Sequence, residues 1–250
     1  MITLNYDKSK KYDKNLVENK IMGPNPLKLV EELLLNHNIS DSATVMDLGS
    51  GNGLTSVFLV KEYGFKVFPT DLWSDPTENK KFFDEMGLSG DEIIPIKADA
   101  NDLPFAHEFF NAIICADSYN YFGRDDSFLD EKIIPFIKPG GYVYIAVPGM
   151  KKDCHDDLPD ELLLSWNEEQ LDYIHDMDYW RNIVDKSNKS KVISIKQMEG
   201  NEELWTDWIN CDNEYAAGDK KAVDAGACKY LNFISIVLQR VESVKFYRLI

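Results

Sequence analysis

Short apolar runs alternate with stretches of helical periodicity along most of the chain. Residues 54–63, 77–87 and 125–137 are compatible with helices, and an earlier helix begins at Pro26 with leucines at helical spacing. Strands that alternate with helices predict an α/β fold with a doubly wound, mostly parallel sheet. The runs that predict strands are 43–49, 65–72, 92–100, 109–118 and 140–149, followed later by 191–197 and 232–241.

The stretch 150–190 departs from this alternation. Between Lys151 and Trp180, ten acidic residues stand against two lysines, while Leu171, Ile174 and Met177 keep a helical apolar stripe. We therefore predict a small helical cap inserted after the fifth strand. A second insertion, 199–230, is expected between the last two strands, and the whole chain, 1–250, is interpreted as one domain.

Composition narrows the classes of protein. No apolar run approaches the ~20 residues that span a bilayer, and the polar N-terminus has no signal-peptide core. For the same reason we expect no membrane partner. The four cysteines form no C-x-x-C pair, so we expect reduced thiols in a cytoplasmic protein and no metal site. The net charge of -16 repels phosphate backbones, disfavours nucleic acid as a partner and favours a cationic ligand.

The segment "VMDLGSGNGLTS", residues 45–56, joins the first strand to a helix. Gly49 and Gly51 fit a dinucleotide-binding G-x-G-x-x-G loop, but Leu54 stands at the third glycine position, so the spacing is D-x-G-x-G-x-G. Asp47 also ends the strand where a pyrophosphate would lie, and like charges there are unfavourable. The pattern favours a cofactor that carries an ammonium or sulfonium group over a nicotinamide dinucleotide.

Acidic residues recur where the next strands end. Asp71 closes the second strand, where a carboxylate can accept hydrogen bonds from both ribose hydroxyls. Asp99 closes the third strand, where it can accept from an adenine amino group, while Ala100 offers a backbone N–H to a ring nitrogen. The fourth strand ends in "ADSYNYF", with Ala116, Asp117 and Tyr119.

These segments resemble class I S-adenosylmethionine-dependent methyltransferases of the small-molecule type with "LPF" after the third strand. The resemblance covers roughly 25–150 and implies a Rossmann-like sheet of seven strands, with the last strand antiparallel. It implies S-adenosylmethionine as cofactor, S-adenosylhomocysteine as product, and 1–25 as a lid-like segment. The motifs that carry it are "VMDLGSGNG", "VFPTDLW", "IKADANDLPF", "FNAIICADSYNYF" and "IKPGGYVYIAVPG". The cofactor-binding residues it implies are Asp47, Gly49, Ser50, Gly51, Gly53, Asp71, Leu72, Asp99, Ala100 and Ala116.

The acceptor of the methyl group is less well defined. Tyr119, His155 and His175 are candidate general bases; packing explains Tyr119 equally well, and surface exposure explains the two histidines better than catalysis does. The acidic cap gives a weak preference for an amine over other acceptors, and the oligomeric state is open. Alternatives are a non-catalytic S-adenosylmethionine-binding module, a nicotinamide-dependent oxidoreductase, or aminopropyl transfer on the same fold.

Overall fold

The computed structural model describes residues 4–241, which form one seven-stranded sheet in the order β3-β2-β1-β4-β5-β7-β6. Strands β1 to β5 pair in parallel, whereas β7 is antiparallel to both β5 and β6. The predicted fold class is thus confirmed. The strands are β1 Thr44–Leu48, β2 Lys66–Asp71, β3 Ile96–Lys97, β4 Phe110–Ala116, β5 Ile137–Met150, β6 Ser190–Gln197 and β7 Leu231–Arg240.

Helices cover both faces of the sheet and fill the two insertions. Among the described residues two helices precede β1, one joins β1 to β2 and one joins β2 to β3, whereas three follow β5 and the last two lie between β6 and β7. They are α1 Lys14–Lys20, α2 Pro26–Leu33, α3 Leu54–Tyr63, α4 Pro76–Glu85, α5 Asp160–Leu163, α6 Glu168–Leu171, α7 Met177–Val184, α8 Asn201–Ile209 and α9 Glu214–Ala225.

Proline shortens two of the predicted elements. Pro95 has no N–H for a ladder hydrogen bond, and regular pairing of the third strand is confined to Ile96–Lys97. The predicted helix 125–137 is instead a short π-helical turn, Leu129–Ile133, followed by a 3-10 turn that contains Pro135. A proline ring cannot continue an α-helix without loss of a hydrogen bond, so the chain passes directly into β5.

The apolar stripe of the predicted cap divides between two helices. Leu171 ends α6, Ile174 lies in the connecting turn, and Met177 begins α7. The division occurs at Asp176, whose side chain accepts the backbone N–H of Tyr179 and so starts a new helix.

The sheet separates two buried apolar clusters. One contains β1, β2 and β4 side chains packed against α2 and α3 together with Trp205 and Trp208 of α8. The other contains the opposite-facing strand residues with Tyr119 and Trp180. No helix within residues 4–241 is long and apolar enough to cross a membrane. All four cysteines are free thiols.

Candidate cofactor and acceptor site

The glycine loop leaves β1 at the edge where β2 and β4 also end. Gly49, Gly51 and Gly53 all have positive φ, at 77°, 51° and 78°, a backbone region that disfavours other residues. A Cβ at Gly49 would lie 2.1 Å from Ser118 Oγ, so that position is also closed sterically. The loop's shape therefore depends on the glycines themselves.

Asp71 connects the end of β2 to this loop. Its Oδ2 accepts the backbone N–H of Gly51 at 2.9 Å, and its Oδ1 accepts those of Trp73 and Ser74, each at 2.8 Å. Asn79 of α4 donates its side-chain amide to Gly51 O at 3.0 Å from the other side. The carboxylate thus holds the glycine loop, and Oδ2 retains an acceptor position for a ligand hydroxyl.

Asp47 faces α3 rather than open space. Its side chain is almost fully buried, and Oδ2 accepts the hydroxyls of Thr55 and Ser56, both at 2.6 Å. Burial raises the pKa of Asp47 to about 6, the charge of Asp71 acts in the same direction, and the two hydroxyl donors oppose the shift. The two hydroxyls at the start of α3 occupy Oδ2, and the contact of Asp47 with the cofactor stays a prediction.

The other residues predicted to contact the cofactor surround the same edge. Ser50 has a buried Oγ without a hydrogen-bond partner among the described residues, and Leu72 is exposed. Asp99 is exposed, and Asn101 donates to its Oδ1 through both its backbone and its side chain, which lowers the Asp99 pKa. Ala100 is buried, and Ala116 pairs with Ala146 at the end of β4.

Asp117 follows Ala116 in a conformation that is unusual for aspartate. Its φ is 57°, and its backbone N–H donates to Ala146 O at 2.8 Å. Within residues 4–241 its carboxylate accepts no hydrogen bond and forms no ion pair. Burial raises the pKa of this carboxyl group to about 7, and the charge of Asp219 adds to the effect. A strained residue with an unpartnered carboxylate beside a ligand loop is typical of functional sites.

The segment before α2 covers this edge of the sheet. Asn52 of the glycine loop donates to Lys20 O at 3.1 Å, and Met22 Sδ lies 3.1 Å from the position of a Cβ on Gly51. A Cβ on Gly23 would lie 2.7 Å from Asp117 Oδ2. The predicted lid-like segment therefore contacts both the glycine loop and the end of β4.

Asp219 of α9, in the second insertion, is a second acidic residue without a cationic partner among the described residues. Its two carboxylate oxygens accept the indole N–H groups of Trp166, at 2.9 Å, and Trp208, at 2.8 Å. These neutral donors fix the carboxylate without cancelling its charge, and burial raises its pKa. Burial raises the pKa of Tyr121, and the charges of Asp117 and Asp219 add to the shift.

Tyr119 lies in the second apolar cluster. It is 1% exposed, packs against Phe122, Phe128 and Trp180, and its hydroxyl has no partner among the described residues. Burial raises the pKa of this hydroxyl, and a phenol that is harder to ionise is a weaker candidate for accepting a proton at neutral pH. Its position favours the packing interpretation.

His155 and His175 lie together beyond β5, with ring centroids 5.1 Å apart. Both nitrogens of His155 are engaged, Nδ1 with Asp153 at 2.5 Å and Nε2 with Leu171 O at 3.1 Å. His175 stacks on Tyr179, and burial lowers the His175 pKa. No described contact connects either histidine to the glycine loop or to Asp117.

Sequence reasoning assigned no role to Asp117 or Asp219. Asp117 carried one usable signal, its place at the carboxyl end of a parallel strand. No sequence pattern pointed to Asp219, because its hydrogen bonds with the indoles of Trp166 and Trp208 form only on folding. The described residues bring no three His, Cys, Asp or Glu side chains together as metal ligands.

Comparison with known proteins places this geometry in a family. Residues 45–141 match the family model described as "Methyltransferase domain", and these residues include the glycine loop, Asp71 and Asp117. No curated protein matches the chain. The match agrees with the resemblance that the sequence motifs carry, and the predicted class, a class I S-adenosylmethionine-dependent methyltransferase with that cofactor, is confirmed.

Solved structures share the fold over most of the chain. Geranyl diphosphate C-methyltransferase from Streptomyces coelicolor is 16% identical with a TM-score of 0.66, covering 86% of this chain and 81% of that one. Phosphoethanolamine N-methyltransferase 2 from Haemonchus contortus is 16% identical with a TM-score of 0.70, covering 96% and 60%. The [4+2]-cyclase SpnF is 10% identical with a TM-score of 0.69, covering 96% and 97%. Likeness at these identities concerns the fold, and these enzymes differ in their reactions.

Proposed function

We propose that this protein transfers a methyl group from S-adenosylmethionine to a small-molecule acceptor, with an amine as the preferred class. The observation that carries the proposal is the juxtaposition of the positive-φ glycine loop, Asp71 and the unpartnered Asp117 carboxylate at one edge of the sheet. This edge is where parallel α/β sheets bind ligands. The acidic surroundings favour an acceptor that carries positive charge.

The residues of this edge fit the cofactor. The glycine loop would hold its amino acid part, Asp71 would accept from the ribose, and Asp99 with Ala100 would contact the adenine. The buried, unpartnered Oγ of Ser50 supplies a polar group suited to the same ligand. S-adenosylmethionine supplies a methyl group on a sulfonium, whose departure leaves a neutral thioether. The chain's own task is then mainly to position the acceptor and exclude water.

The preference for an amine acceptor rests on the acidic residues near the site and not on the fold. The structural neighbours include enzymes named for C-methylation, N-methylation and cyclisation, so the architecture alone does not select the chemistry. Asp117 places a carboxylate without a donor among the described residues directly after the end of β4. An anionic acceptor would be repelled there, whereas an amine would be attracted.

Methyl transfer can be tested with the wild-type protein. Incubation with methyl-labelled S-adenosylmethionine and separate pools of small amines, alcohols and carboxylic acids should label the amines. Release of S-adenosylhomocysteine together with a labelled amine supports the proposal. Tight cofactor binding without transfer to any pool would favour the alternative of a non-catalytic binding module.

A further inference from the structure

We call residues 20–25, which precede α2, the covering turn. Its first residue is held by Asn52 of the glycine loop, which donates to Lys20 O at 3.1 Å. Met22 is 67% exposed although it is apolar, and its Sδ lies 3.1 Å from the position of a Cβ on Gly51. The covering turn therefore presents an exposed apolar side chain to the glycine loop.

Asn25 ends the covering turn, and both polar groups of its buried side chain are in use. Its Oδ1 accepts the backbone N–H groups of Leu27 and Lys28 and so caps α2. Its Nδ2 donates to Asp207 Oδ2 of α8 at 2.7 Å, and its backbone N–H donates to Leu204 O of the same helix at 3.2 Å. Asn25 thus joins the covering turn to the second insertion, 182 positions away in the chain.

Lys28 reinforces this connection from the first turn of α2. Its side chain is buried, its Nζ lies 2.7 Å from Asp207 Oδ2, and it also pairs with Glu203. Charge-assisted hydrogen bonds of this kind are short and hold their partners in a defined geometry. Because Lys28 fixes the Asp207 carboxylate, the acceptor for the Asn25 amide is held in place.

The covering turn also reaches the end of β4. Gly23 lies so close to Asp117 that a Cβ on it would be 2.7 Å from Oδ2. Met22 and Gly23 therefore lie between the glycine loop and the end of β4, at the edge where a parallel α/β sheet binds its ligand. A methionine side chain is flexible and polarisable, so it can adapt to the surface of a ligand at this edge.

We propose that Asn25 is a positioning residue for cofactor binding: through Asp207 it holds Met22 over the glycine loop, where the Met22 side chain covers bound S-adenosylmethionine. This inference rests on the proposed function and adds a part for the second insertion, because α8 supplies the anchor. Loss of the anchor leaves the glycine loop and Asp71 in place but releases the covering turn. The cofactor and its product should then bind more weakly.

A role of Asn25 as a helix cap alone leads to a different result. Asn25→Ser keeps a capping oxygen and removes the amide that donates to Asp207. Asn213→Ser is the matched control, because Asn213 caps α9 by accepting from Tyr215 and Ala216 and forms no described hydrogen bond with the covering turn.

Calorimetric titration with S-adenosylhomocysteine compares these variants with the wild-type protein. We expect Asn25→Ser to weaken the ligand at least about fivefold and Asn213→Ser to change its affinity less than about twofold. Binding to the wild type with unchanged affinity in Asn25→Ser would overturn the positioning role and leave the proposed function standing. Failure of the wild type to bind S-adenosylhomocysteine would instead overturn the proposed function.

A double-mutant cycle tests whether Asn25 acts through Met22. Met22→Ala should fold normally, because the side chain is mostly exposed, and should weaken S-adenosylhomocysteine at least about fivefold. Asn25→Ser added to Met22→Ala should weaken the ligand less than about twofold further. Wild-type affinity in Met22→Ala, or full additivity of the two losses, would contradict the inference, and the first of these outcomes requires no variant of Asn25.

An exchange of the two partners provides the rescue. Asn25→Asp alone places two carboxylates together and should weaken S-adenosylhomocysteine at least about fivefold. Asn25→Asp combined with Asp207→Asn reverses donor and acceptor, retains the cap of α2 and should return the affinity to within about threefold of the wild type. A loss in the combined variant as large as in Asn25→Asp alone would show that the hydrogen bond to α8 does not position the covering turn.

Discussion

The carboxylates at the ends of β1 and β2 differ from those at the end of β4 and on α9 in the donors that surround them. Asp71 accepts three backbone N–H groups, and Asp47 accepts two hydroxyls. The Asp117 carboxylate accepts no hydrogen bond from the described residues, and the Asp219 carboxylate accepts hydrogen bonds from two neutral indole N–H groups. The first pair shapes the cofactor loop, whereas the second pair has no cationic partner among the described residues.

An acidic residue near a ligand-binding site can therefore have either of two roles. A carboxylate whose oxygens are occupied by protein donors organises the backbone around a ligand, and its loss should damage the loop. A carboxylate without donors should mainly affect the binding of a ligand that pairs with it. In the absence of that ligand, it should lower the free energy of unfolding. The following changes test whether the two regions behave in these separate ways.

The largest expected effect is the replacement of Gly51 by valine. The φ of 51° strains any side chain there, and the added atoms would approach Met22 and the ligand space. We expect the variant to remain folded and to lose S-adenosylhomocysteine binding by at least about a hundredfold in calorimetry.

Gly64→Val is the matched control for this change. Gly64 also has a positive φ, 69°, but no described atom lies within 4 Å of the position of its Cβ. It should cost about 1–2 kcal/mol of stability and leave cofactor affinity intact. A folded Gly51→Val protein with wild-type affinity would refute the assignment of the loop.

A smaller effect is expected from Asp71→Ala. We expect S-adenosylmethionine and S-adenosylhomocysteine to weaken equally, by at least about tenfold, because both carry the ribose. Asp71→Asn should lose less, since its amide oxygen still accepts. Part of the loss will come through the backbone of the glycine loop, which Asp71 also holds.

Asp75→Ala separates a specific loss from general damage in this region. Asp75 caps α4 by accepting the backbone N–H of Thr77, and its removal should lower the thermal stability modestly without affecting the cofactor. Wild-type affinity of Asp71→Ala for both ligands would show that Asp71 has no part in binding. Undiminished affinity for a 2′-deoxyribose analogue would show that the ribose is not its partner.

We expect the Asp117 carboxyl group to make the free energy of unfolding depend on pH. Its pKa in the folded protein, about 7, lies above the value of 3.8 for an unperturbed aspartate. The folded state therefore holds its proton more strongly, and its contribution to stability is lost as the pH rises from about 4 to about 7. We expect Asp117→Asn to be about 1–2 kcal/mol more stable than wild type at pH 8 and nearly unchanged at pH 4, because part of the residue is open to solvent screening.

Thermal unfolding between pH 4 and pH 8 measures this difference in the absence of ligand. Asn also tolerates positive φ, so the substitution changes the charge with little change in backbone strain. A constant difference in stability across the pH range would contradict the picture of Asp117 as an uncompensated carboxylate.

The smallest effect is expected from His155→Gln. Both ring nitrogens of His155 are engaged by Asp153 and Leu171, which favours a structural role. We expect the maximal rate of methyl transfer to change by less than about threefold. A loss of a hundredfold or more with unchanged S-adenosylhomocysteine affinity would instead support the prediction of a general base.

The sequence predicted the sheet and the cofactor edge because these depend on local patterns. Alternating apolar runs predict strands, and the carboxyl ends of parallel strands must meet at one edge, which brought Asp71 next to Gly51. The glycines of the predicted loop, Gly49, Gly51 and Gly53, all have positive φ in the structure. The sequence pattern did not indicate that Oδ2 of Asp47 accepts the hydroxyls of Thr55 and Ser56, because these groups approach it only once α3 has formed.

The acceptor side could not be predicted in the same way. The partnership of Asp219 with Trp166 joins residues 53 positions apart in the chain and follows no periodicity. The absence of partners at Asp117 among the described residues is a property of the fold, not of the segment "ADSY". The helical stripe of the cap was also misleading, because the capping side chain of Asp176 divides it into two helices.

The central claim is that the glycine loop and Asp71 bind S-adenosylmethionine rather than a nicotinamide dinucleotide. Calorimetric titration of the wild-type protein with S-adenosylhomocysteine and, separately, with NAD tests it most directly. The account predicts one binding site per chain for S-adenosylhomocysteine and no detectable binding of NAD at the same concentrations. Saturable binding of NAD in a protein that ignores S-adenosylhomocysteine would contradict it.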